Sequence, residues 1–107
     1  MLPFTTVRVV GPSMEPSLLN GEWWLVRRGG RIRAGDVILL THPGRPDLHL
    51  VKRVVRATPE GWWVEGDSPA SSEDSRAFGA VPHALVEGRL IFRYRPLPPK
   101  RVPRHGG

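Results

Sequence analysis

The stretch Leu48-His49-Leu50-Val51-Lys52-Arg53-Val54-Val55 is an apolar run of strand-forming residues with two cations at its centre. Read as a strand, it puts Lys52 on the same face as Leu48, Leu50 and Val54, because side chains two apart point the same way. An ammonium group on such a face loses water, and its pKa falls. A lysine with a depressed pKa can act as a base at neutral pH, which an ordinary surface lysine cannot. A lone strand lysine can instead lay its stem along the apolar face and carry its charge out to solvent. The rest of the chain decides between the two.

Further strands are expected on both sides of this run. Phe4 to Val10 is a β-branched run ending at Gly11-Pro12, and Glu22 to Arg28 holds Trp23, Trp24, Leu25 and Val26 before Gly29-Gly30. Asp36 to Thr41 is entered through Ala34-Gly35 and closed by His42-Pro43-Gly44. Leu48 to Thr58 and Trp62 to Glu65 read as a hairpin, since Thr58-Pro59-Glu60-Gly61 suits a type I turn. A loop from Gly66 to Gly79 precedes a last strand, Ala84 to Tyr94, and only Pro16-Ser17-Leu18-Leu19 offers a short helical turn. Closely spaced strands without a long helical period predict a mainly β chain, a small barrel or sandwich-like domain with little helix. In each of the pairs Trp23-Trp24 and Trp62-Trp63, strand alternation sends one ring inward and leaves the other for packing or for a surface patch.

The 107 residues suffice for one small domain, and 39% hydrophobic content makes it globular. No cysteine is present, which excludes disulfides and thiolate chemistry. The net charge of +6 is uneven: residues up to Gly88 carry 10 Lys and Arg against 10 Asp and Glu. The excess, Arg89, Arg93, Arg95, Lys100, Arg101 and Arg104, lies in the final 19 residues. Residues 1–95 are therefore expected to form the domain, and 96–107 a Pro-rich basic tail, disordered in solution. No aliphatic run approaches the roughly 20 residues of a membrane span, and Met1-Leu2-Pro3-Phe4 does not open a signal peptide. These readings give the expectation of a soluble, cytoplasmic protein.

Ser13, in Gly11-Pro12-Ser13-Met14-Glu15-Pro16, follows a strand and precedes a turn. Such a stiff corner can present a hydroxyl together with backbone amides, as a nucleophile and its oxyanion site require. Taken alone it reads as a turn serine. No histidine offers a Ser-His-Asp arrangement: His42 falls in a Pro-Gly turn, His49 alternates off the Lys52 face, His83 follows Pro82, and His105 is in the tail. All four read as solvated, and their spacing suggests no metal site. Ser13 with Lys52 is the better pair, because serine-lysine variants of the nucleophile-base arrangement exist. A third element, Gly66-Asp67-Ser68 to Ser72-Glu73-Asp74-Ser75-Arg76-Ala77-Phe78-Gly79, is a Ser- and Asp-rich loop in which Asp74 and Arg76 can pair.

In that order, Gly-x-Ser-Met-x-Pro, Lys-Arg-Val and Gly-Asp-Ser…Ser-x-Asp-Ser-Arg-x-Phe-Gly resemble the boxes of type I signal peptidases, over residues 9 to 92. The resemblance implies a serine endopeptidase with Ser13 as nucleophile and Lys52 as general base. It further implies that Ser72 hydrogen-bonds the lysine amine, that Met14 helps line the substrate site, and that Asp74 and Arg76 form a structural ion pair. Gly11 stands where some members carry a hydroxyl for the oxyanion hole, so the hole would rest on backbone amides, including that of Ser13. The short chain, with Gly61 to Asp67 and Asp74 to Gly79, resembles most the soluble proteases that trim the leader of nickel-type superoxide dismutase precursors. The implied partner is a protein precursor bound extended beside a strand edge, with no cofactor, no metal and no nucleic acid.

Two rival readings make different predictions. A self-cleaving regulator of the DNA-damage-response type needs a cleavage site ahead of its nucleophile, and only 12 residues precede Ser13. A non-enzymatic module holding nucleic acid or anionic membrane through its basic tail predicts salt-dependent binding lost on deleting residues 96–107.

Overall fold

The computed structural model describes residues 3–71 and 73–104. Its strands are β1 (Phe4–Arg8), β2 (Trp23–Arg27), β3 (Val37–His42), β4 (Arg45–Thr58), β5 (Gly61–Glu65), β6 (Val86–Arg95) and β7 (Lys100–Arg101). Among the described residues, helix is confined to the four-residue α1 (Ser75–Phe78) and two single 3-10 turns. All the strand pairs are antiparallel, in the order β1-β2-β6-β3-β4-β5, with β7 added to β6. The expectation of a mainly β chain with little helix holds.

β3 explains how such a small sheet acquires a core. Its run Val37-Ile38-Leu39-Leu40 is buried throughout, the pattern of a strand covered on both faces rather than one. Val37 and Leu39 join a cluster with Val9, Met14, Leu18, Trp24, Val26 and Leu90. Ile38 and Leu40 join a second cluster with Val54, Val64 and Val81. The register Ile38↔Lys52 and Leu40↔Leu50 therefore puts Lys52 on the side of the second cluster.

The strand edges depart from expectation where tertiary pairing extends or trims them. β4 begins at Arg45 instead of Leu48, because His42 pairs with Arg45 around Pro43-Gly44 and continues the hairpin outward. The Thr58–Gly61 turn closes the β4–β5 hairpin, with Thr58 Oγ1 donating to Gly61 O. Gly61 has a positive φ of 147°, and a Cβ there would stand 2.0 Å from Val81 O. Only glycine lets Trp62 and Val81 exchange their two backbone hydrogen bonds, both 2.8 Å. The helical turn expected at Pro16 starts two residues earlier, where Leu18 N donates to Met14 O at 3.0 Å.

Lys100–Arg101 pair with Arg93 and Phe92 of β6, and Val102 packs on the first core cluster. The Arg93 guanidinium donates to Pro98 O at 2.9 Å, fixing the Pro-rich bend that brings the chain back. Of the tryptophans, Trp24 is fully buried and donates through Nε1 to Glu22, while Trp62 packs partly buried against the second cluster. Trp63 is half-buried, with Arg56 lying 4.7 Å from its ring centroid and its Nε1 donating to Glu65.

Candidate active site

Ser13 sits in the turn that follows β1, and its surroundings hold that turn from three directions. Glu15 N donates to Pro12 O at 3.0 Å, closing the corner locally. Gly11 takes a positive φ of 86°, and its N–H donates to Asn20 Oδ1 at 2.8 Å. Ser68 N donates to Ser13 O at 2.9 Å, so the loop after β5 is fastened to the serine's own carbonyl. With the Gly11 amide committed to Asn20, the Ser13 N–H has no acceptor among the described residues.

Lys52 reaches the same place from β4. A cavity of about 160 Å³ is lined by Ser13, Met14, Val9, Leu39, Leu50 and Lys52, among others. Lys52 is 2% exposed. Burial pushes its ammonium below the ordinary lysine range, while the carboxylates of Asp74 and Glu73 oppose the shift and Arg76 reinforces it. Met14, 1% exposed, belongs both to the core and to the cavity wall. His49, read as a solvated residue facing away from Lys52, also borders this cavity.

Asp74 organises the loop beside Lys52. Its side chain accepts from Gly66 N at 2.9 Å and from Arg76 N at 3.1 Å, capping α1. The Arg76 guanidinium grips it through two further bonds of 3.0 and 2.6 Å. Ser72 lies outside the described residues.

Two features of the site escaped the sequence reading. Arg53, next to Lys52 and on the opposite face, is 4% exposed and makes a two-pronged ion pair with Asp67, both contacts 2.9 Å. It also donates to Gly35 O at 2.9 Å and to Ser17 Oγ at 3.4 Å, tying β4, the Gly66–Gly79 loop and the Ser13 turn together. The signal was present: a cation adjacent to a buried lysine, in a strand covered on both sides, needs its own partner. The second feature is His42, expected in solvent because of its Pro-Gly neighbours. It is buried instead, its Nδ1 accepting from Gly44 N at 3.0 Å and its ring 4.8 Å from that of Phe78. Its Nε2 lies 3.4 Å from Glu73 Oε2, the residue next to Ser72.

The family model for signal peptidase, peptidase S26, matches residues 1–61, more than half of the chain. The chain belongs to the signal peptidase family. It is a signal-peptidase-like serine endopeptidase. Mitochondrial inner membrane protease subunit 1 of Xenopus tropicalis is 36% identical over 111 aligned positions, covering 81% of this chain and 66% of that protein. Mitochondrial ATP-independent inner membrane protease subunit 1a of Arabidopsis thaliana is 35% identical, covering 86% and 71%. Subunit 2 of the mouse inner membrane protease is 30% identical, covering 94% and 78%. This signal peptidase relative thus spans about two thirds to three quarters of their lengths. The expected cytoplasmic location is corrected by these relatives, which are by name inner-membrane proteins. Their names also do not carry the nickel-dismutase specialisation. Among the described residues no helix is long and apolar enough to cross a membrane.

Proposed function

We propose that Ser13 and Lys52 form the catalytic dyad of a peptidase that removes an N-terminal segment from protein precursors. The observation carrying this reading is that both residues, 39 apart in sequence, line one small cavity in which the lysine is almost fully buried. In this mechanism the neutral amine of Lys52 takes the Ser13 hydroxyl proton as Oγ attacks the scissile carbonyl. The resulting oxyanion is met by the Ser13 backbone N–H, which is free of other acceptors among the described residues. The protonated lysine then delivers its proton to the leaving amine, and a water activated by the neutral amine hydrolyses the acyl-enzyme. Ser72 completes the reading as a hydroxyl partner of the lysine, and Asp74 with Arg76 holds the loop that carries it.

The substrate enters extended, reading out main chain and small side-chain pockets. We further propose that the enzyme works at a membrane, as its inner-membrane protease relatives do by name. A nickel-type superoxide dismutase precursor as substrate is supported only by the resemblance of residues 61–67 and 74–79 to that subgroup. The test is cleavage of two purified precursors, one a nickel-type dismutase and one an inner-membrane protease substrate, with mass spectrometry locating the cut. Wild type cleaves at one bond while Ser13→Ala and Lys52→Arg do not, the latter because arginine stays protonated. Cleavage by a folded Lys52→Arg protein would refute the dyad. Truncation of the enzyme incubated alone at alkaline pH would point to self-cleavage instead.

A further inference from the structure

A second cavity, larger than the first at about 420 Å³, opens between β6, β7 and the entry to β3. The two cavities share no lining residue. Arg89, Arg101 and Arg104 line it, and none of the three is paired with a carboxylate among the described residues. Arg53 also borders it but is already held by Asp67. The one carboxylate in its wall, Asp36, accepts from Arg33 N at 2.8 Å. The remaining wall is apolar, contributed by Ile91, Phe92 and Val102, and Phe92 is 36% exposed. β7 creates this arrangement by pairing Arg101 with Phe92, which brings basic residues of the chain end against the middle of β6.

Three guanidinium groups with no carboxylate partner among the described residues surround one opening, an arrangement that suits an anion. Guanidinium matches phosphate geometry with two parallel hydrogen bonds, and like-charge repulsion in the empty cavity is relieved by a ligand with at least one negative charge. The apolar side of the cavity adds a requirement that free phosphate does not meet: the ligand carries hydrocarbon close to its charge. We propose that this cavity binds the phosphate headgroup of an anionic phospholipid and so docks the β6–β7 side of the domain on a membrane surface. The choice of lipid over a soluble phosphate rests on the membrane location proposed above. The site differs from a diffuse basic tail, because Arg89 lies within the sheet and the effect is assigned to one cavity rather than to total charge.

The test is flotation of the full chain with vesicles of phosphatidylcholine alone and of phosphatidylcholine mixed with phosphatidylglycerol. Wild type floats with the anionic vesicles only. The triple variant Arg89→Gln, Arg101→Gln, Arg104→Gln weakens this binding by roughly a hundredfold, taking each basic residue at an anionic surface at its usual weight. A charge-matched control, Arg31→Gln, Arg33→Gln, Arg45→Gln, loses much less, and both variants keep the wild-type melting temperature. Equal losses in the two triples would overturn the cavity as the site, as would anionic binding indifferent to the first triple. Flotation that fails for wild type as well would overturn the lipid site, whereas the membrane location falls only if the native enzyme also fractionates away from membranes. Tight arginine-dependent binding of glycerol phosphate or of a short RNA, with no vesicle binding, would reassign the cavity to a soluble ligand. Peptide cleavage measured in the absence of vesicles is unchanged in the first triple, which keeps this outcome separate from that of the dyad.

Discussion

Lys52 and Arg53 are neighbours on one strand, both nearly inaccessible, and the structure treats them in opposite ways. Arg53 faces a carboxylate, a carbonyl and a hydroxyl, and is held as a fixed cation. Lys52 shares its side of the sheet with Ile38, Leu40, Leu50 and Val54, and burial dominates its titration. Strand alternation makes the contrast possible, since a step of one residue changes the face and with it the dielectric surroundings. The same step divides the labour: one cation ties the site together, while burial lowers the pKa of the other.

The strongest way to break the comparison is through activity. Lys52→Met and Ser13→Ala each lower kcat by about ten-thousandfold or more, the loss typical of removing one member of a nucleophile-base pair. Steady-state cleavage of a precursor peptide measures this, and a Lys52→Met enzyme within tenfold of wild type would remove the lysine from the mechanism.

Stability should reverse the ranking of the two cations. Arg53→Met strips two charge-assisted hydrogen bonds from the Asp67 side chain, which is 1% exposed, and costs about 3–5 kcal/mol in urea unfolding. Lys52→Met replaces a desolvated amine by a side chain of similar length and is neutral or stabilising by about 1–2 kcal/mol. The double variant Arg53→Met, Asp67→Leu recovers part of the first loss, because no charge is left buried.

The pH dependence sharpens the comparison further. With Lys52 as the proposed base, activity rises with pH along a limb below the ordinary lysine range and falls away as acid protonates the amine. Asp74→Asn removes the carboxylate that favours the ammonium, so the limb moves to lower pH; Arg76→Gln moves it the other way. A kcat/KM profile that ignores both substitutions would separate the limb from Lys52.

The smallest effect is on stability with pH. The folded state holds fewer protons than the unfolded chain between the depressed pKa and the ordinary one. Wild-type stability therefore rises with pH across that window and is lowest below it. Unfolding of Lys52→Met lacks this slope, whereas Arg53→Met retains it.

Much of this was legible in the chain because alternation is a local property. The i±2 rule placed Lys52 with Leu50 and Val54, and turn residues bounded most strands within one to three positions. Ser13 and Lys52 could be paired through motif order, which survives even when the connecting geometry is unknown. His42 was misplaced because Pro43-Gly44 signals a turn but says nothing of what covers it; Phe78 and Glu73 arrive from some 30 residues away. The Arg53–Asp67 pair, 14 residues apart, and the contact of the Lys100 amine with Ser17 O, 83 apart, likewise depend on closure of the sheet. Long-range polar contacts have no period to read.

The bond from Ser68 N to Ser13 O has a consequence for how the protein is made. The carbonyl of Ser13, the proposed nucleophile, is latched by a residue 55 positions later. A chain still growing, or cut short before Ser68, carries the serine without the latch. Positioning of the proposed nucleophile thus waits until the stretch from Ser13 to Ser68, about half of the sequence, has been made, and the timing is written into a single backbone hydrogen bond.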